Sequence, residues 1–253
     1  MPKFAANISF LFTEVPFLER FGEARAAGFE AVEILFPYDD PASQIADRLA
    51  GAGLDLVLIN APPPNYTGGA RGFAAVPGGE ARFEKDFKRA VRYAQHLGAQ
   101  HLHLMAGTAE GPEAHDTFVR NLAWATAQEP EMSLTIEPIN GHDMPGYFLN
   151  DFDLAAQIIA EVGAPNLGLQ FDAYHAQRIT GDAMRVWDAH HALVRHIQIA
   201  SAPDRHEPAK GEIDYPTFFE AVDARGYTGW ISAEYHPSGR TTDGLDWFYA
   251  ARG

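Results

Sequence analysis

The sequence predicts a single (β/α)8 TIM barrel domain that spans residues 1–253. Apolar runs of strand length alternate with amphipathic stretches of helix length along the whole chain, which is the pattern of repeated βα units around a parallel sheet. A glycine follows several of the helical stretches, and 253 residues is a usual length for one barrel of this kind. No linker divides the chain, so one domain is predicted, although a doubly wound open sheet shares the same local pattern.

Eight apolar, β-branched runs are predicted as strands because each is too short for a helix. They cover residues 4–10, 31–35, 54–60, 101–105, 133–137, 167–172, 196–199 and 229–234. The amphipathic stretches between them are predicted as helices, and the one before the seventh strand has the weakest pattern. These stretches cover residues 16–27, 42–52, 80–97, 113–127, 151–162, 181–191 and 215–225. Little chain remains after the eighth strand, so we expect a truncated last helix, with residues 245–250 covering the barrel only partly.

Helix ends are marked by a recurring glycine, which closes a helix by adopting a left-handed conformation and sends the chain into the next strand. The glycines in this position are Gly28, Gly53, Gly98, Gly163 and Gly226. Their recurrence favours one barrel over two domains. The long irregular stretch at residues 61–79 is rich in proline and glycine, and loops of that length in a compact domain are usually functional.

Composition restricts the chemistry. The chain has no cysteine, so oxygen and imidazole groups must hold any metal ion. A net charge of -15 repels nucleic acid and anionic membranes, and no apolar run approaches the length of about 18 residues that a membrane span needs. The N-terminus lacks the features of a secretory signal. We therefore expect a cytoplasmic protein with a small-molecule partner and with neither nucleic-acid nor membrane partners, and the sequence leaves homo-oligomerisation open.

Four polar residues end successive predicted strands, and in a (β/α)8 barrel the carboxyl ends of the strands form the active site. They are Glu137, Asp172, Gln198 and Glu234, each about one βα unit after the last. Carboxylates held this close together repel one another unless a cation neutralises them. Carboxylate and amide oxygens suit Mg²⁺ or Mn²⁺ better than zinc. The alternative is that the acidic residues only cap the helices that follow.

Other polar residues converge on the same rim. Asn7 interrupts the first strand and His103 lies inside the fourth, where a barrel core prefers aliphatic side chains. His175 follows Asp172 by three residues and is well placed to contact a substrate hydroxyl. Positive charge is scarce, and Arg71 in the third loop or Arg205 in the seventh could hold a carboxylate in bidentate fashion. Solvated loop arginines and a hydrogen-bonded core histidine are the alternatives.

These motifs resemble the hydroxypyruvate isomerase family of the xylose isomerase-like barrels. The resembling stretches are residues 7–9, 65–72, 103–107, 137–140, 170–175, 196–200 and 205–208. The resemblance implies that Glu137, Asp172, Gln198 and Glu234 bind the metal ion, and that the two glutamates are also the acid and base of catalysis. Gln198 distinguishes this family from the similar ketose 3-epimerases, which usually carry histidine at that position.

The resemblance implies an aldose-ketose type isomerisation through a cis-enediolate, with hydroxypyruvate and tartronate semialdehyde as the expected pair. Asn7, Arg71, His103, His175 and Arg205 are expected to bind the anionic substrate. A 2-oxo-tetronate isomerase or a ketose 3-epimerase would use the same metal and glutamates. A metal-dependent phosphodiesterase would need several histidine ligands and a basic groove, and a non-catalytic sugar-acid binding protein would have no use for paired carboxylates.

Overall fold

The structure is a computed structural model that describes residues 2–61 and 71–252. Its eight parallel strands close into a barrel in chain order, with β1 hydrogen-bonded to both β2 and β8. The strands are β1 (Lys3–Asn7), β2 (Ala31–Ile34), β3 (Asp55–Asn60), β4 (His101–His103), β5 (Ser133–Ile136), β6 (Leu167–Asp172), β7 (Val194–Ile199) and β8 (Trp230–Ala233). The predicted fold class, a single (β/α)8 barrel, is confirmed.

The helices in the described part of the chain cover the outside of the barrel. They are α1 (Arg20–Ala26), α2 (Ala42–Ala52), α3 (Glu80–Leu97), α4 (Gly111–Gln128), α5 (Phe152–Val162), α6 (Ala173–Thr180), α7 (Ala183–His190), α8 (Tyr215–Ala224) and α9 (Asp246–Arg252). Short 3-10 turns lie at Phe17–Glu19, His191–Leu193 and Thr241–Gly244. None of the helices in the described ranges combines the length and the apolarity that a bilayer span requires.

Two predicted helices differ from those observed. The stretch 16–27 begins with a 3-10 turn and becomes α-helical only at Arg20. The weak stretch 181–191 is preceded by a separate helix, α6, that the sequence pattern did not predict. Asp172 explains the omission, because it is at once the last residue of β6 and the N-cap of α6, where its Oδ1 accepts a hydrogen bond from Tyr174 N at 2.8 Å. No loop separates the strand from the helix.

The last helix is short, as predicted, with seven residues in α9. Its aromatic side chains nevertheless close the core where β1 meets β8. Phe4 of β1 packs edge-on against Phe219 of α8 and against Trp247 and Phe248 of α9, with ring centroids 5.2 to 5.9 Å apart. Although α9 is short, its large aromatic side chains provide extensive contacts with the core.

The polar interior of the barrel follows from strand alternation, in which residues two apart face the same side. Ala5 and Asn7 of β1 and Ala31 and Glu33 of β2 are all fully buried, and Asn7 is opposite Glu33 in the strand register. The Asn7 amide donates a hydrogen bond to the Glu33 carboxylate at 2.8 Å. Small side chains thus fill the barrel at depth, and polar ones fill it nearer the carboxyl ends.

Candidate active site

A cavity of about 500 Å³ opens at the carboxyl ends of the strands. Its walls include six of the predicted site residues: Arg71, Glu137, His175, Gln198, Arg205 and Glu234. Aromatic and aliphatic side chains also line it, and these are Phe10, Leu35, Phe36, Met105, Ile139, Met144 and Tyr174. The remaining lining residues are polar: Asn60, Asp143, Asp204 and His236. Three of the four strand-end residues that the sequence singled out, Glu137, Gln198 and Glu234, therefore line one space.

Three buried carboxylates lie at this end of the barrel. Glu137 follows β5, Asp172 ends β6 and Glu234 follows β8, and all three are at most 6% exposed. Asp172 lies beside the cavity rather than in its wall, because one of its oxygens caps α6. Burial without full pairing makes this cluster electrostatically unfavourable on its own.

Arg205 brings positive charge to the cluster. Its Nη2 lies 2.8 Å from Glu234 Oε1 and 3.4 Å from Asp172 Oδ2, and its Nη1 lies 3.5 Å from Asp143 Oδ2. The guanidinium also lies 4.9 Å from the ring centre of Tyr174, a cation-π distance. Burial tends to lower the pKa of Arg205, but the surrounding carboxylates raise it above its ordinary value. Arg205 therefore stays charged and neutralises part of the cluster.

Arg205 does not compensate the negative charge of all three carboxyl groups, and their pKa values are raised. Burial raises the pKa of Asp172 to about 6, against the opposing effect of Arg205. Burial, reinforced by the charge of Asp172, raises the pKa of Glu137 well above its ordinary value, and burial does the same to Glu234. One cation does not satisfy three buried carboxylates, so the site favours the arrival of further positive charge.

His175 lies beside the carboxylates, with Nε2 at 3.6 Å from Asp172 Oδ2 and 3.9 Å from Glu137 Oε1. Its Nδ1 faces the side-chain NH2 of Asn140 at 2.7 Å, since the Asn140 oxygen accepts from the backbone N–H groups of His142 and Asp143. Nδ1 is therefore an acceptor, and the neutral ring carries its proton on Nε2. Burial lowers the pKa of His175 well below its ordinary value, which keeps the ring neutral.

A divalent cation fits the donor set of this site. One oxygen or nitrogen each from Glu137, Asp172 and His175 lies within 4.8 Å of the others, and all three side chains are buried. Because the neutral His175 ring carries its proton on Nε2, this nitrogen is a hydrogen-bond donor and not a metal ligand. The ligands of a cation would therefore be oxygen atoms of other side chains. Glu234 Oε2 is buried and has no hydrogen-bond partner in the described part of the chain. An oxygen set of Glu137, Asp172, Glu234 and Gln198 suits Mg²⁺ or Mn²⁺.

Gln198 is held between two side chains. Its Oε1 accepts a hydrogen bond from Gln170 Nε2 at 2.8 Å, and its Nε2 donates to Glu33 Oε1 at 2.5 Å. Gln170 also donates to Glu137 Oε2 at 3.0 Å, and its own oxygen accepts from the Thr135 hydroxyl. The side-chain amides of Gln170 and Gln198 thus form a hydrogen-bonded chain, in which each carbonyl oxygen accepts and each NH2 group donates.

Glu33 is the residue of this region that the sequence analysis missed. It lies inside β2 and is fully buried, with a fully buried His196 Nε2 at 2.5 Å from its Oε2. Glu33 was not predicted as a site residue because it does not end its strand, since Ile34 and Leu35 continue the apolar run beyond it. A charged residue within a predicted interior strand was the signal that could have identified it.

Asn7 and His103 were expected to bind substrate, but both are fully buried and neither belongs to the cavity wall. Asn7 contacts Glu33, and His103 Nδ1 lies 3.1 Å from the side-chain oxygen of Asn60. Burial lowers the pKa of His103 to about 3, so its ring is neutral. Both side chains lie behind the residues that line the cavity.

Arg71 lies at the rim of the cavity and its side chain is exposed. Among residues 2–61 and 71–252 it forms no salt bridge, in contrast with Arg205. The neighbouring Gly72 has φ +100°, and a Cβ there would lie 2.2 Å from the carbonyl oxygen of Met105. This close crossing of two backbones fixes where Arg71 leaves the loop. Most of the resembling stretch 65–72 lies outside the described residues.

The chain matches the family described as xylose isomerase-like TIM barrel over residues 21–251. A 2-oxo-tetronate isomerase from Cupriavidus necator is 46% identical over 98% of this chain and 97% of that protein. A hydroxypyruvate isomerase from Escherichia coli is 37% identical over 98% of each protein. A solved structure from Brucella melitensis, described as AP endonuclease, family 2, is 43% identical and has a TM-score of 0.96, covering 99% of both chains. Each similarity extends over almost the whole chain.

Proposed function

This chain belongs to the xylose isomerase-like TIM barrel family and, within it, to the hydroxypyruvate and 2-oxo-tetronate isomerases; on that premise we propose that it is a metal-dependent isomerase of small sugar acids. The observation that carries the proposal is that Glu137, Gln198 and Glu234 line one cavity, with the buried carboxylate of Asp172 beside it. The reaction class is a shift of a carbonyl group to the neighbouring hydroxylated carbon.

Glu137, Asp172, Gln198 and Glu234 would hold one Mg²⁺ or Mn²⁺. When bound, that ion supplies Lewis-acid polarisation of the carbonyl and hydroxyl oxygens of the substrate. The buried Glu234 Oε2 that lacks a partner among the described residues, and the raised pKa values of the three carboxyl groups, support this assignment.

Glu137 and Glu234 are the proposed proton carriers. They follow strands β5 and β8, which β6 and β7 separate in the barrel, so they approach the cavity from different sides. One carboxylate takes the proton from the hydroxylated carbon, so that an enediolate forms, and the other glutamate delivers a proton to the former carbonyl carbon. The proton of the original hydroxyl group passes to the former carbonyl oxygen, which leaves the new carbonyl group on the neighbouring carbon.

Two further side chains would orient the substrate. Arg71 is free of carboxylate partners in the described ranges and lies at the rim, so we assign it the substrate carboxylate. His175 presents Nε2–H toward the carboxylates and can donate a hydrogen bond to a substrate oxygen. Arg205 is already engaged with Glu234 and Asp172 and is assigned to holding Glu234 in place.

We favour a four-carbon 2-oxo acid, 2-oxo-tetronate, as the substrate. The 46% identity to a 2-oxo-tetronate isomerase, against 37% to a hydroxypyruvate isomerase, supports this choice. A cavity of about 500 Å³ leaves room for the longer acid. Hydroxypyruvate, with one carbon fewer, is the second candidate, because relatives of both names match over the full chain.

Two other functions are less well supported. A ketose 3-epimerase would use the same glutamates on a neutral polyol, and Arg71 would then have no carboxylate to bind. A phosphodiesterase, which the description of the Brucella melitensis structure suggests, would work on nucleic acid, yet this chain carries a net charge of -15. Its cavity wall contains His175 and His236 as the histidines of the described residues, too few for a site of several histidine-bound metals.

The test is product analysis by NMR on protein stripped of metal and then supplied with Mn²⁺ or Mg²⁺. The substrates are 2-oxo-tetronate, hydroxypyruvate and a ketohexose at equal concentrations. We expect metal-dependent conversion of the 2-oxo acids, with the higher kcat/KM for 2-oxo-tetronate. A higher kcat/KM for hydroxypyruvate would reverse the order of substrates, and turnover of the ketose alone would replace the isomerase by an epimerase.

A further inference from the structure

Glu33 is a buried carboxylate that no step of the proposed reaction uses. It is fully buried in the interior of the barrel and does not belong to the cavity wall. Three donors converge on its two oxygens: Asn7 Nδ2 at 2.8 Å, Gln198 Nε2 at 2.5 Å and His196 Nε2 at 2.5 Å. A carboxylate in so costly a location needs a role that compensates its desolvation.

The hydrogen bonds around Glu33 have a defined direction. Asn7 Oδ1 accepts from Ser9 N at 3.0 Å, so the NH2 end of Asn7 must face Glu33. The Glu33 carboxylate is then an acceptor on every side and can receive only the NH2 end of Gln198. Gln170 donates to the other end of the Gln198 amide at 2.8 Å. Both neighbours therefore select the same orientation of Gln198.

The orientation of this amide matters because its two ends have nearly the same shape and opposite chemistry. With Nε2 held by Glu33, Oε1 lies on the side of Gln170, whose NH2 group also contacts Glu137 Oε2. Oε1 accepts one hydrogen bond there and keeps a second lone pair. In the reversed orientation the NH2 group of Gln198 would face the proposed cation. The partial positive charge of its hydrogens would repel the cation.

We propose that Glu33 is a positioning residue that turns the amide oxygen of Gln198 toward the cavity, where it can bind the divalent cation. The inference rests on the proposed metal-dependent function. It assigns no contact between Glu33 and the ion, and it assigns Asn7 and His196 to holding Glu33 itself in place.

A second effect of Glu33 is electrostatic. The Glu33 carboxylate lies directly behind the Gln198 side chain, with its Oε1 at 2.5 Å from Gln198 Nε2. A negative charge behind the ligands adds to the attraction for a cation without occupying a ligand position. Both effects act in the same direction on cation affinity.

The experiment is calorimetric titration of Mn²⁺ into metal-free protein, with thermal unfolding without metal as the measure of folding. Glu33→Gln keeps the size of the side chain but replaces one acceptor oxygen by an NH2 group. The side chain at position 33 can then pair with either end of the Gln198 amide, so it no longer fixes the orientation of that amide. We expect Mn²⁺ affinity to fall about 10- to 100-fold, the range seen when residues that orient metal ligands are replaced. Glu14→Gln is the matched control, because Glu14 accepts hydrogen bonds from Thr241 and lies outside the cavity wall.

The double variant Glu33→Gln, Gln198→Glu restores a ligand oxygen at position 198 without relying on Glu33 to orient it. A carboxylate at position 198 presents oxygen whichever way it turns, and the amide introduced by Glu33→Gln can donate to it, so the hydrogen bond between the two positions is retained. We expect the double variant to recover most of the Mn²⁺ affinity that Glu33→Gln loses. It also keeps the inference testable if the single variant does not fold.

The outcomes separate the two claims. Unchanged Mn²⁺ affinity in Glu33→Gln overturns the positioning role, and so does a folded double variant that binds no better than the single one. A fall in affinity with Glu14→Gln equal to that with Glu33→Gln also overturns it, because the effect would not be specific. If the wild-type protein binds no Mn²⁺, the proposed function fails and this inference fails with it.

Discussion

The two halves of the barrel both carry polar side chains near the carboxyl ends of their strands, but in different electrostatic states. In β1–β4, Asn7, Glu33 and His103 are fully buried and are bonded to other protein groups. In β5–β8, Glu137 and Glu234 line the cavity, and burial raises their pKa values well above the ordinary range. The β1–β4 half is therefore a preorganised support, whereas the β5–β8 half holds negative charges that a cation can neutralise.

The largest effect on kcat is expected from removing the charge of either glutamate in the β5–β8 half. Glu137→Gln and Glu234→Gln each remove a proton carrier, and we expect each to reduce kcat by about 10²- to 10⁴-fold, the range for a positioned general acid or base. The fold should survive, because removing a carboxylate from this cluster relieves repulsion. Steady-state kinetics with 2-oxo-tetronate and thermal unfolding are the measurements. Near wild-type kcat in either folded variant would remove that glutamate from the mechanism.

A smaller effect is expected at the rim, where the two arginines differ. Arg71→Ala should raise KM about 10- to 100-fold for an anionic substrate, since a charged hydrogen bond contributes roughly 1.5 to 3 kcal/mol. Arg71→Lys should recover part of this, because it keeps the charge and loses the bidentate geometry. Arg48→Ala, at an exposed position of α2, is the control. A KM that Arg71→Ala leaves unchanged would transfer the substrate carboxylate to another residue.

The Mn²⁺ affinity is expected to depend on pH because the carboxyl groups of the β5–β8 half must lose their protons before they can bind the ion. The pKa of Asp172 is raised from 3.8 to about 6, so in this window the folded metal-free protein holds a proton that the unfolded chain has lost. The contribution of this group to the stability of the metal-free protein therefore falls as pH rises through the window. Mn²⁺ must displace the proton, so its affinity should rise with pH through about 6.

Calorimetry at several pH values, in buffers of different ionisation enthalpy, measures both the affinity and the protons released. We expect proton release on Mn²⁺ binding to be larger at pH 5 than at pH 8. Affinity and proton release that are independent of pH would contradict carboxylate ligands with raised pKa values.

The smallest effect on turnover is expected in the supporting half, at His103. Its Nδ1 contacts the Asn60 side-chain oxygen, and His103→Leu would leave that oxygen unpaired, at a cost of about 1 to 3 kcal/mol in the free energy of unfolding. KM should stay unchanged, because the ring lies outside the cavity wall. His103→Asn, which retains a donor, is the conservative control. A raised KM at unchanged stability would return His103 to the substrate-binding residues.

The sequence alone could predict the barrel and the position of the carboxylates for one physical reason. Parallel strands that end in polar residues must bring those residues to one rim, so Glu137, Asp172 and Glu234 could be placed together from spacing. Side-chain hydrogen bonds could not be read in this way. The tautomer of His175 depends on Asn140, and the engagement of Arg205 with Glu234 depends on how its loop folds back.

The omissions have specific causes as well. Helix α6 follows β6 without a loop, so its start carried no separate signal. Glu33 lies within a strand rather than at its end, and its meaning depends on His196 and Gln198, which are more than 160 residues away in the sequence. The sequence does not show that these residues are neighbours, because they come together only when the barrel closes.

In the proposed reaction Glu137 and Glu234 move a carbon-bound proton, and a divalent cation is required. The direct measurement is NMR of turnover in D2O by metal-free protein with and without added Mn²⁺. We expect deuterium to appear at the carbon that gains a proton, to require Mn²⁺, and to be suppressed in Glu137→Gln and Glu234→Gln. Turnover without Mn²⁺, or Mn²⁺-dependent turnover that carries the original hydrogen to the neighbouring carbon with no deuterium incorporated, would contradict it.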